Sequence, residues 1–154
     1  MCIEFQTKGN SIGEGIAKGI NEAIDIAERD GWNGIVIGNN EKQFSVGANL
    51  MNMGMMAMQK NFDEIEKFLV GFQKILMRMR TCNVPVVSAT HGFVMGGGLE
   101  VSIHCDAGIH ASEAYIGLVE AGVGLIPGGG GTKEMAMRAS DSFNSGDVKM
   151  PSLI

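Results

Sequence analysis

Residues 91–102 read HGFVMGGGLEVS, with three consecutive glycines, Gly96, Gly97 and Gly98, directly ahead of Leu99 and Glu100. The run PVVSAT (85–90) before them has β-strand character, and Pro85 stands where a strand tolerates proline, at its first residue. After them the pattern predicts a helix from about Gly98 to Cys105. A strand that enters a helix through residues without Cβ atoms leaves the first-turn N–H groups open to close approach. Those groups carry the positive end of the helix, so an oxygen gaining negative charge is stabilised against Gly97, and Glu100 sits in the same first turn.

Working outward, CIEFQT (2–7) alternates apolar and polar residues as a short strand does. Ile16, Ile20, Ala23, Ile24 and Ala27 fall on one face of a helix from Gly15 to Arg29, with Ser11 as a candidate cap. GIVIG (34–38) suits a strand buried on both faces. A methionine-rich stretch, MNMGMMAMQ (51–59), begins a helix despite Gly54, and residues 62–80 carry a clear helical stripe from Phe62 to Met79. AGIHA (107–111) reads as another strand and TKEMAMR (132–138) as the last helix, while residues 139–154 are polar, weakly patterned and expected to be irregular. Strand, helix and strand recur, which implies an α/β domain over residues 1–154 with right-handed crossovers and a largely parallel sheet.

The 154 residues are 45% hydrophobic with a net charge of −5, and the basic residues are scattered, which argues against nucleic acid and anionic membrane surfaces as partners. No stretch approaches the ~20 apolar residues of a membrane span, and MCIEFQTKGN lacks the layout of a signal peptide. Three widely spaced cysteines, Cys2, Cys82 and Cys105, are expected to be reduced thiols, consistent with a cytoplasmic protein.

GGGGTKE (128–134) superficially suggests a phosphate loop, yet Thr132 separates the last glycine from Lys133, and Pro127 occupies the third glycine position of a dinucleotide fingerprint. His91, His104 and His110 with Cys82 and Cys105 offer neither a CxxC nor an HxxxH pair, so no metal site is expected; the histidines read as capped or surface groups. Ser102 and Asp106 lack the nucleophile elbow of a hydrolase. Met51, Met53, Met55, Met56 and Met58 fit either core filling or the wall of a pocket for a long apolar ligand.

FSVGANL (44–50) supplies a second exposed stretch after GIVIG, where Ala48 can offer another N–H. Glu120 follows the apolar run IGLV (116–119). If Glu100 and Glu120 face one pocket, two carboxyls can share a water and divide acid and base roles. Read singly, Glu100 is equally a dipole-compensating residue and Glu120 a turn residue.

FSVGANL, HGFVMGGGLE and GLVEAGVGLIPGGGGT (117–132), in that order, resemble the crotonase family of enoyl-CoA hydratases and isomerases, from about Asn10 to Arg138. The Leu-Val-Glu and four-glycine form most resembles the crotonase portion of bacterial bifunctional enzymes that carry a 3-hydroxyacyl-CoA dehydrogenase. The resemblance implies a ββα spiral core and a CoA thioester substrate whose carbonyl oxygen is held by the N–H groups of Ala48 and Gly97. It implies that Glu100 activates the water attacking the β-carbon and that Glu120 delivers a proton to the α-carbon. It further implies substrate contacts from Val46, Ala48, Asn49, Leu50, Gly96 and Gly97, with the methionine stretch beside the acyl chain and no cofactor or metal.

Val46 stands where Ala is usual and Asn49 where Asp is common; neither change removes a catalytic group. Both acidic positions are filled, which favours hydration of trans-2-enoyl-CoA in fatty-acid β-oxidation over isomerisation. Family members also have a further N-terminal strand and C-terminal helices that cover CoA and build a homotrimer. Neither is expected within this sequence, which reads as the core of a larger enzyme, with a non-catalytic scaffold fragment as the remaining alternative.

Overall fold

The computed structural model describes residues 1–145. Its elements are β1 (Cys2–Glu4), α1 (Glu14–Arg29), β2 (Ile35–Gly38), α2 (Leu50–Met58), α3 (Phe62–Thr81), β3 (Val86–Thr90), β4 (Phe93–Met95), α4 (Gly97–Ile103), β5 (Ala107–His110), β6 (Tyr115–Gly117) and α5 (Gly131–Asn144). Four strands form a parallel sheet in the order β1-β2-β3-β5, with Ile35 opposite Val86 and Ser88 opposite Gly108. A second parallel pair, β4 with β6, sets Val94 opposite Ile116.

The chain leaves the first sheet for the second at His91 and Gly92. Gly92 has φ +56°, and a Cβ there would lie 2.4 Å from the carbonyl oxygen of Lys42, so only glycine fits this corner. Sequence reading did not separate β4 from the glycine run, because three residues are too few to show alternation.

The amphipathic stripes of α1 and α3 bury Ile16, Ile20 and Ile24 from one helix and Phe72, Leu76 and Met79 from the other. Ile35 and Ile37 join them in a single core. Burying each such aliphatic side chain contributes about 1.5–3 kcal/mol. Asp63 and Glu64 begin α3 while Arg78 and Arg80 end it, each sign complementing the helix dipole. Arg78 also reaches Asn21 and Asp25, tying α3 to α1.

Three sequence expectations are corrected. The cap of α1 is Gly13, not Ser11, because a 3-10 turn over Lys8–Asn10 carries the chain past Ser11 in an extended conformation. GIVIG is buried on one face only, since Val36 points away from the core and is 43% exposed. Residues 139–144 are helical: α5 continues to Asn144, no proline or glycine intervening before Gly146. The remainder of the expected tail, 146–154, lies outside the described residues. Of the two readings of the α2 methionines, core filling is ruled out: no residue of this helix is buried, and Met51 and Met58 are 78% and 87% exposed. Among the described residues no helix is long and apolar enough to cross a membrane.

Candidate active site

Residues 44–49 are laced between β4 and the segment that precedes α1. Ser45 donates its N–H to Phe93 and accepts from Met95 N–H through its carbonyl, while Ile12 N–H donates to Gly47 at 2.8 Å and Asn49 N–H to Ile12 at 3.1 Å. Buried Ser45 locks the bend from inside: its Oγ donates to the Asn10 carbonyl at 2.7 Å and accepts from Gly47 N–H at 3.1 Å. These bonds use the amides on both sides of Ala48 and leave its own N–H without an acceptor among the described residues.

Gly97 is the first residue of α4, so its N–H also has no intrahelical partner. The two amides are close. A Cβ on Gly97 would lie 3.5 Å from Ala48 N, and one on Gly47 would lie 3.3 Å from Gly97 N. Two free donors meeting in this way can hold one carbonyl oxygen, each contributing on the order of 3 kcal/mol when that oxygen gains charge.

Gly47 makes the approach possible, with φ +93° and room for a Cβ only 2.8 Å from the Met95 carbonyl oxygen. Gly47→Ala is expected to destabilise the fold by about 1–3 kcal/mol and to lower kcat beyond the loss of folded protein, because the strain falls on the peptide that carries the Ala48 amide. Thermal melting beside kcat per folded molecule checks this; a variant that melts and turns over like the parent removes the constraint.

Glu100 is 2% exposed and sits under the glycine loop that precedes α5. Its Oε1 accepts from Gly129 N–H and Gly131 N–H, both at 2.8 Å, while no N–H or O–H of the described residues reaches its Oε2. The clamp needs glycine: a Cβ on Gly129 would lie 2.6 Å from Glu100 Oε2 and from Phe72 Cε1. Burial pushes the Glu100 carboxyl above its ordinary range; the Gly131 and Gly129 N–H groups pull against that shift, and the charge of Glu120 reinforces it.

Glu120 opens the 3-10 turn Glu120–Val123 after β6. A Cβ on Gly96 would lie 2.9 Å from Glu120 Oε1, and Oε2 is buried with no hydrogen-bond partner among the described residues. Gly96 itself is tied to β6 by its N–H donating to Gly117 at 2.9 Å. The structure thus brings Ala48, Gly96, Gly97, Glu100 and Glu120 to one place, from segments up to 72 positions apart in a 154-residue chain (120 minus 48).

The other expected contact residues lie along the rim. Val46 is exposed and packs against Gly9, Asn49 caps α2 by accepting from Asn52 N–H at 3.2 Å, and Leu50 opens that helix half-exposed. Beside the Ala48 loop, Ile12, Asn49, Met53, Met56, Ile65 and Phe68 line a small pocket. Neither glutamate lines it; Ile12 links the two regions, its Cδ1 lying 3.5 Å from where a Cβ on Gly97 would be. A groove alongside carries Lys8 and Lys42.

Sequence reading missed Gly129, Gly131 and Phe72, which position Glu100 from below. The glycine run was visible, but its partner lies 29 residues earlier and nothing local pairs them. It also placed His104 too loosely: the ring is buried, and its Nδ1 donates to the Glu100 carbonyl at 2.7 Å. Burial pushes the His104 imidazole below its usual value. Cys105 is buried too, its thiol pushed up to about 12 by desolvation, and all three cysteines are free.

The profile of the enoyl-CoA hydratase/isomerase family matches residues 1–145. The chain is 44% identical over 147 residues to the Bacillus subtilis protein named "Probable 3-hydroxyacyl-CoA dehydrogenase", covering 93% of this chain and 18% of that protein. It is 37% identical over 102 residues to the short-chain-enoyl-CoA hydratase of Clostridium acetobutylicum, covering 66% of this chain and 38% of that one. Among solved structures, an enoyl-CoA hydratase from Polaromonas superposes with a TM-score of 0.84 at 25% identity, over 88% of this chain and 54% of that one. The chain belongs to the enoyl-CoA hydratase/isomerase family and has the crotonase fold. It spans less than two fifths of the length of the curated relatives above.

Proposed function

We propose that this chain hydrates trans-2-enoyl-CoA to 3-hydroxyacyl-CoA. The observation that carries the reading is the meeting of two free amides, Ala48 and Gly97, with the buried carboxyl of Glu100 and the half-buried one of Glu120, around Gly96. The thioester oxygen accepts from both amides, which polarises the conjugated double bond. Water held at Glu100 Oε2 loses a proton to that oxygen as its hydroxyl bonds to the β-carbon, and the electron pair moves to the thioester oxygen as an enolate. The enolate collapses as Glu120 gives its proton to the α-carbon. Water has been added overall, Glu100 holds the proton taken from the water and Glu120 is left ionised, and a proton relayed from Glu100 to Glu120 through the next water resets the pair. Oxidation state is unchanged overall, so the step needs no redox cofactor, and the amides do the work that a Lewis acid would otherwise do.

Met53, Met56 and Phe68 supply an apolar wall for the acyl chain, and Lys8 and Lys42 supply positive charge for the phosphates of CoA, beside the Val46–Leu50 backbone. The relatives' names support a place in fatty-acid oxidation, as the hydratase portion of a protein that also oxidises the 3-hydroxyacyl product; a cytoplasmic location and a homotrimer of the whole protein belong to the same proposal and rest on the family resemblance alone. The test supplies trans-2-enoyl-CoA and 3-enoyl-CoA separately and resolves the products by chromatography. Formation of 3-hydroxyacyl-CoA from the 2-enoyl substrate is expected. Conversion of the 3-enoyl substrate alone makes the chain an isomerase, and calorimetry showing no heat with any acyl-CoA makes it a scaffold.

A further inference from the structure

Side chains from three helices meet where α5 begins: Arg80 from the end of α3, His104 just beyond α4, and Lys133 and Glu134 from the first turn of α5. Glu134 is 0% exposed. Its Oε1 accepts from Arg80 Nη1 and lies 3.1 Å from Lys133 Nζ and 3.6 Å from His104 Nε2, while Oε2 is buried with no partner among the described residues. A carboxylate with one oxygen left so is an expensive way to anchor a helix, since an apolar side chain of equal size packs there without desolvation cost.

Its location indicates what the carboxylate does. Glu134 N–H donates to the Gly130 carbonyl at 3.0 Å, which makes Glu134 the first hydrogen-bonded link between α5 and the loop whose Gly129 and Gly131 amides clamp Glu100. His104 touches both halves of that clamp. Its Nδ1 donates to the Glu100 carbonyl, which accepts only, so the proton is fixed on Nδ1 and Nε2 is turned toward Glu134. The same ring edge supports the loop, 3.8 Å from where a Cβ on Gly130 would stand.

We propose that Glu134 is a positioning residue: joined to Arg80 and Lys133 and packed against the neutral His104 ring, it holds the Gly129–Gly131 loop in register with Glu100, so that both amides fall on Oε1 and Oε2 stays open to the reacting water. The kinetic part of this rests on the hydratase reading above; the loop geometry does not.

The variant Glu134→Gln keeps the shape and removes the charge. In the 154-residue chain it is expected to lower kcat about tenfold or more while KM for a 2-enoyl-CoA changes little, and to move the acidic limb of the kcat/KM profile. In nitrogen-15 spectra the Gly129 and Gly131 amides are expected to shift and to exchange with solvent faster. Arg80→Lys, which keeps the charge, restores most of the parent behaviour. Arg78→Met, which cuts the ties of α3 to Asp25 and Glu28 instead, lowers the melting temperature but leaves both glycine amides and kcat in place.

If Glu134→Gln lowers only the melting temperature, with glycine amides, kcat and pH profile unmoved, the cluster is a plain helix anchor and the proposal is overturned. If it does not fold, Arg80→Met removes the half-exposed partner and the same two amides decide. If the parent hydrates no enoyl-CoA, the hydratase reading falls by itself, and the amide shifts alone confirm or overturn the positioning.

Discussion

Glu100→Gln is expected to lower the hydration kcat by about 10²–10⁴, the usual contribution of a positioned acid or base, while leaving the fold as stable as before or more so. Glutamine presents the same Oε1 to the Gly129 and Gly131 amides, so the 2.8 Å bonds of the clamp survive. What disappears is a buried charge. The Glu100 carboxyl is raised above its ordinary value by burial and by Glu120, against the pull of the two amides. The folded state therefore binds this proton more tightly than the unfolded chain does. Its contribution to stability is fully present below the ordinary glutamate value and is lost as pH rises through the raised one. At neutral pH the parent carries a desolvated anion that the variant lacks. Melting curves at pH 5 and pH 7.5 check the sign: the variant gains on the parent as pH rises. A variant that keeps near-parent kcat defeats the assignment of Glu100, and one that melts far below the parent at neutral pH shows that the charge is part of the clamp.

How far the sequence led can be judged from particular residues. Gly96–Gly98 with Glu100 was legible because strand character, missing Cβ atoms and a first-turn carboxylate are all local signals, and helix 62–80 was legible because its stripe spans about five turns. The α2 methionines were ambiguous, since flexible apolar side chains suit a core and a pocket alike; the fold decided by leaving that helix unburied. The clamp on Glu100 was not legible at all. Gly129 finds Glu100 over 29 residues and Glu134 finds Arg80 over 54, and no periodicity encodes such pairs. Residues 139–144 misled in the other direction: their polarity looked like a tail, yet an exposed helix end needs only the absence of breakers, with Met135 and Met137 also lying on its exposed surface.

Glu120→Gln is expected to cost as much activity as Glu100→Gln, and the pair together no more than the worse of the two. Glu120 has no structural employment that would compete with this: its Oε2 is buried without a partner, and its Oε1 rests against Gly96, the residue preceding the Gly97 amide. Glutamine keeps the shape of this half-buried side chain and breaks no hydrogen bond, so no loss of melting temperature is expected. Non-additivity follows from the chemistry. Every turnover needs both Glu100, to take the water's proton as the enolate forms, and Glu120, to discharge the enolate, so a site missing either carboxyl has already lost turnover, and removing the second subtracts little. The double replacement measured against both single ones is therefore the decisive comparison. Losses that multiply would mean that the two carboxyls contribute independently of each other, and would leave their joint action on one substrate without support even if each residue proved essential.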